Sequence, residues 1–122
     1  MKINAQDSIT DLTYLKQVSN GDNIFIKEMI SVYLKETPVA IANLEKHLLN
    51  KDWKMLTQVI HKLKPSFSFF GVKGMQTTVD SIEEYSDNET HLDLLSEMIE
   101  HVKAVCEKAM RELEEVDKTL TF

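Results

Sequence analysis

Apolar residues return every three or four positions through most of the chain, and that rhythm constrains the fold more than any other feature. It is clearest in Leu92, Leu95, Ile99, Val102, Cys106, Ala109, Leu113 and Val116. Such steps keep side chains on one face of a helix of 3.6 residues per turn, so the stretch can bury one stripe and leave the rest wet. The same rhythm runs through Ile26, Ile30, Tyr33, Thr37, Ile41, Leu44 and Leu48, and through Trp53, Leu56, Ile60, Leu63, Phe67 and Phe70. A fourth stripe is Met75, Val79, Ile82 and Tyr85, and a short one, Ile9, Leu12, Leu15 and Val18, precedes them all. Strands need turns, and 3 glycines and 2 prolines supply few. Four narrow apolar stripes with short connections predict an all-α fold, an antiparallel up-and-down four-helix bundle with a short N-terminal capping helix.

The expected helices span about 9–19, 23–49, 53–70, 73–86 and 91–117. Ser8 or Thr10 would cap the first, and Gly21 would end it in positive φ. Asp22 and Asp52 would cap the second and third, and Thr90 with Asp93 resembles a capping box for the last. Pro38 and Pro65 fall inside helices, but the stripes keep their phase across both, which predicts bends and not breaks. Gly71 and Gly74 bracket a break, and the residues after Asp117 are expected to fray.

A chain of 122 residues, 43% hydrophobic, fits one domain over 1–122 around one core. A net charge of −6, with no basic run interleaved with aromatics, argues against a nucleic-acid partner. No apolar run approaches 18 residues and no basic-then-apolar leader follows Met1, so the expectation is a cytoplasmic protein without a membrane segment. The single cysteine, Cys106, excludes an internal disulfide and lies on a buried stripe, where it reads as a small apolar residue.

The residue that stands apart is His61. Lys54, Thr57, His61, Lys64 and Ser68 repeat the steps of the third stripe one residue later. That offset puts them about 100° round the helix from the core. His61 is therefore expected beside the core and facing water, with Lys64 one turn on along the same face. Imidazole is the side chain whose unperturbed pKa, about 6.5, leaves it partly neutral near physiological pH, as a nucleophile must be. Lys64 is expected to disfavour the charged ring by like-charge repulsion, and later to pair with added phosphoryl oxygens as a point charge. Ser66, Ser68 and Gly71 keep the surroundings small, so that another protein could approach closely.

His61-x-x-Lys64-x-Ser66, with Gly71 ten residues after the histidine, resembles the signature of histidine-containing phosphotransfer (HPt) domains. Thr10-Asp11-Leu12-Thr13-Tyr14-Leu15, Gly21-Asp22, Phe25-Ile26-Lys27-Glu28-Met29-Ile30 and Asp52-Trp53 are similar to stretches that precede the motif in that family, so the likeness spans about 9–85. The family commonly has Gly where this chain has Pro65 and a small residue where it has Ile60. The resemblance implies a phosphorelay carrier of two-component signalling. His61 would take a phosphoryl group from the phospho-aspartate of a response-regulator receiver domain, at Nε2, and pass it to another receiver. Lys64 would stabilise the phosphate, and Thr57, Pro65, Ser66, Ser68, Phe69 and Gly71 would form the receiver-docking surface. A hybrid sensor histidine kinase is the implied upstream partner, and Mg²⁺ is expected on the receiver, with no cofactor held by this chain. No GxxxxGK[ST] loop is present, so no ATP site and no enzyme activity of its own are expected. The carrier is expected to be a monomer.

Two other kinds of helical bundle compete with this reading. A phosphotransfer-silent interaction bundle would keep the shape without the chemistry, and the intact His61 and Lys64 argue against it. A metal-binding bundle would want paired Glu-x-x-His motifs on facing helices. Glu97 and His101 offer one plausible pair without its counterpart, while His47 and His91 read as solvent residues, so no metal site is expected.

Overall fold

The computed structural model describes residues 8–120. Among them are five α-helices: α1 (Thr13–Val18), α2 (Asn23–Leu49), α3 (Trp53–Phe69), α4 (Gln76–Asn88) and α5 (Leu95–Thr119). A single 3₁₀ turn, Leu92–Leu94, leads into α5. The four long helices pack in a ring, with α2 against α3 and α5, and α4 against α3 and α5. The expected stripes fill the ring: Ile26, Ile30, Leu44, Leu56, Ile60, Val79, Ile82, Ile99, Val102 and Leu113 are all buried. The chain is thus an all-α bundle of four helices with a short helix at its N-terminal side.

Caps and prolines follow local chemistry. Asp22 Oδ1 accepts from the amides of Ile24 (2.9 Å) and Phe25 (3.3 Å), and Asp52 Oδ1 accepts from that of Met55 (3.2 Å). These bonds satisfy amides that lack a helical partner. α2 continues through Pro38 and α3 through Pro65. Both prolines are exposed, while buried stripe residues flank them in sequence, so packing outweighs the lost backbone bond.

The structure departs from the expectation at several helix ends. The first helix starts at Thr13, not near residue 9, because Ser8 and Thr10 do not cap it. Their hydroxyls donate to Glu112 on α5, at 2.8 and 2.7 Å. Asp11 Oδ1 accepts from Thr13 N (2.9 Å) at the helix start instead. α4 starts at Gln76 and not at 73, because Gly71 (φ 63°) and Gly74 (φ 79°) hold the preceding segment in a left-handed, non-helical path. It runs on to Asn88, and its inward row ends on buried Ser86, with Tyr85 half-buried beside it. The Thr90–Asp93 box does not form: His91 is left-handed (φ 50°), no side chain caps the turn, and α5 follows from the 3₁₀ segment. Finally, α5 stays helical to Thr119. Lys27 Nζ donates to the Asp117 backbone oxygen (3.0 Å) and side chain (2.9 Å), tying that end to α2.

Candidate functional site

α3 is the helix that carries the site. Its core side is fixed by Leu56, Ile60, Leu63 and Phe67, all buried. That anchorage turns the residue after Ile60 outward, and the His61 side chain is 75% exposed on a rigid helix. The Lys64 side chain, one turn later, leans towards α4 and is 24% exposed.

α4 supplies what α3 lacks. Ile82 and Ser86 face the core, so Glu83 falls on the rim beside α3 and Asp80 one turn before it. One oxygen of the Glu83 carboxylate meets His61 Nδ1 and the other accepts from Lys64 Nζ at 2.9 Å. A second carboxylate, Asp80 Oδ1, lies 2.7 Å from the same Nζ. The hydrogen bond from Lys64, and after it the contact with His61, holds Glu83 below the usual carboxylate range despite some desolvation. Lys64 is held above its ordinary value by Asp80 first and Glu83 second. Both groups are therefore ionised at neutral pH. The expected repulsion between Lys64 and a charged ring is offset, because an ionised carboxylate bridges the two groups and a second one holds the lysine.

The bridge has a chemical consequence. An ionised carboxylate only accepts hydrogen bonds, so the ring nitrogen that meets it carries the hydrogen. Nδ1–H then donates to Glu83, and in the neutral ring the lone pair is on Nε2. The arrangement can present a nucleophilic nitrogen to water without any further base.

The residues expected at a docking surface line three depressions around α3. Thr57 lines an acidic groove of about 380 Å³ between α3 and α4, together with Gln58, His61, Asp80, Glu83 and Asp87. The Thr57 hydroxyl is shared with Trp53 O (2.8 Å) and Ser86 Oγ (2.7 Å), so it joins the two helices. Pro65, Ser66 and Phe69 line a larger, mostly apolar groove of about 650 Å³ between α3 and α2, where Met29, Val32, Val39 and Val59 also contribute. Phe69 is half-buried and packs edge-on against Tyr14 of α1 (centroids 5.9 Å apart) and Phe70 (5.6 Å). Ser68 and Gly71 lie with Asp11, Tyr14 and Lys73 on a third depression, under the N-terminal segment. Gly71 serves the fold there. A Cβ on it would sit 2.3 Å from the Asp11 backbone oxygen, and the Asp11 amide donates to Phe70 O at 2.9 Å.

Sequence reasoning missed Asp80 and Glu83. The signal was present in Asp80, Glu83, Glu84 and Asp87, an acidic row offset from the stripe of α4. Only the pairing of α4 with α3 gives that row a meaning. Elsewhere, Cys106 is buried and burial pushes its thiol up to about 11, which leaves it without nucleophilic character. Glu97 and His101 are exposed on α5, and among the described residues no group of three or more His, Cys, Asp or Glu side chains is placed to hold a metal ion. No helix among the described residues is long and apolar enough to cross a membrane.

The bundle thus carries on α3 an exposed imidazole held by charged neighbours from α3 and α4. The model of the Hpt domain family matches residues 28–116, and the chain belongs to that family. Members are phosphotransfer carriers in two-component signalling, working with receiver domains and kinases and without an ATP site of their own. No curated protein and no solved structure matches the chain.

Proposed function

We propose that the protein is a phosphorelay carrier in which His61 accepts a phosphoryl group from a receiver phospho-aspartate and hands it to a second receiver. The observation that carries this reading is the exposed ring whose Nδ1 is engaged by Glu83, which leaves Nε2 as the nucleophile. Nε2 attacks phosphorus, an N–P bond forms, and the P–O bond to the receiver aspartate breaks with that carboxylate as leaving group. No proton has to leave the ring: Nδ1–H stays on it, and Glu83 balances the positive charge of the phosphorylated ring. Passing the group to the second receiver is the same exchange in reverse. Mg²⁺ on the receiver would neutralise the phosphoryl oxygens in flight. Lys64, within one carboxylate of the ring, is the cation that can follow the phosphoryl group. The apolar groove beside Pro65, Ser66 and Phe69 offers a receiver a place to dock next to His61.

The test is to mix the protein with a receiver domain labelled at its aspartate. Acid-labile label should move to the wild type and be absent from His61→Gln, whose helix content should be unchanged. Label that persists on the variant places the site elsewhere, and a wild type that takes none returns the chain to the class of silent interaction bundles.

A further inference from the structure

The charges at Lys64 do not balance. Its Nζ faces two carboxylates, Asp80 at 2.7 Å and Glu83 at 2.9 Å. Glu83 has work at the imidazole; Asp80 is engaged instead with Lys64 and with Gln76 Nε2 of its own helix, at 3.1 Å. Glu84 and Asp87 line the same groove as His61 and add charge of the same sign. A phosphoryl group brings about −1.5 to −2 charges at neutral pH, as on other phosphorylated side chains. It would arrive at a corner where one ammonium is already shared by two carboxylates. For Lys64 to turn to the phosphoryl oxygens, its contact with Asp80 has to be given up.

We propose that Asp80 is a positioning residue that holds Lys64 towards α4 and so biases the exchange equilibrium away from phospho-His61 and towards the receiver. The inference rests on the phosphotransfer reading above and adds to it a residue that tunes the exchange equilibrium. Asp80 acts through Lys64 and touches neither the ring nor its incoming group. Its carboxylate is half exposed, so solvent screens the effect and a change of a few fold is the appropriate scale.

The experiment uses the full chain and an isolated receiver domain labelled with radioactive acetyl phosphate and then desalted. The ratio of phospho-His61 to phospho-aspartate is read once it stops changing. Asp80→Asn should raise that ratio about two- to fivefold over wild type. Asp80→Glu, which restores the charge, should stay within about twofold of wild type, as a contribution through charge and not shape requires. In a Lys64→Ala background, Asp80→Asn should lose most of its effect, because coupled residues are not additive. The inference is overturned by an unchanged ratio in Asp80→Asn, by an Asp80→Glu that shifts as far as Asp80→Asn, or by an equal shift with and without Lys64. These outcomes leave the phosphotransfer reading standing, whereas a wild type that takes no label removes both.

Discussion

Glu83 and Glu112 are both carboxylates on a helix face turned towards another segment, yet they do opposite things. Glu112 is 3% exposed and accepts hydrogen bonds from Ser8 Oγ, Thr10 Oγ1 and the amides of Ile9 and Thr10. Burial pushes its carboxyl up, but those donors outweigh burial and leave it below its ordinary 4.5. All four donors come from the chain itself at a buried position, and together they hold the N-terminal segment against α5. Glu83, with its side chain 24% exposed, divides its two oxygens between an imidazole and an ammonium, both of which border solvent. A buried carboxylate met by donors of its own chain fixes a fold; a shared one at the rim fixes the state of its neighbours. The difference lies in the partners and the water, not in the residue type.

Glu112→Ala tests the first half of that contrast and should have the largest effect on stability. It strands four donors at once and should cost on the order of 3 kcal/mol in chemical denaturation, while the folded protein transfers phosphoryl groups at the wild-type rate. The same clamp has an acid signature. A carboxyl whose pKa is lowered on folding stabilises the protein above its unfolded value, and that contribution is lost as pH falls through the lowered, folded value. The stability gap between wild type and Glu112→Gln should therefore be full above about pH 4.5 and narrow below it; a gap that widens in acid would mean the carboxyl is not ionised in the fold.

Glu83→Ala addresses the second half. Phosphotransfer to His61 should slow by about tenfold, the worth of one charge-assisted hydrogen bond, with stability changed by less than about 0.5 kcal/mol. If Glu83→Ala unfolded the protein and Glu112→Ala slowed transfer, the division of labour would be reversed. Lys64→Ala should have the smallest effect, a slowing of about two- to fivefold in single-turnover transfer, because its charge is screened and shared. Wild-type kinetics in that variant would remove Lys64 from the mechanism.

The same contrast explains how far the sequence could be read. Stripes such as Ile26 to Leu44 and Leu95 to Leu113 place helices because periodicity is a property of one segment. His61 was legible for the same reason, one residue past a buried position. Glu83, Asp80 and Glu112 were not, since each acquires its role from a residue on another element, 22 positions away for Glu83 and His61 and 104 for Glu112 and Ser8. The late start of α1 has the same origin: Ser8 and Thr10 are sound caps by local rules, and a long-range carboxylate took their hydroxyls. In the sequence Gly71 reads as a break and a small neighbour of the histidine, but its close approach to Asp11 shows only when the N-terminal segment is folded back.

On the proposed reading, Glu83 holds the Nδ1 hydrogen and thereby leaves Nε2 to react. Nitrogen-resolved NMR of ¹⁵N-labelled protein, phosphorylated by a receiver domain, tests it directly by showing which ring nitrogen is bonded to phosphorus. Phosphorus coupled to Nε2 of His61, with the hydrogen still on Nδ1, is the predicted result. Phosphorus on Nδ1, or on any residue other than His61, would contradict it.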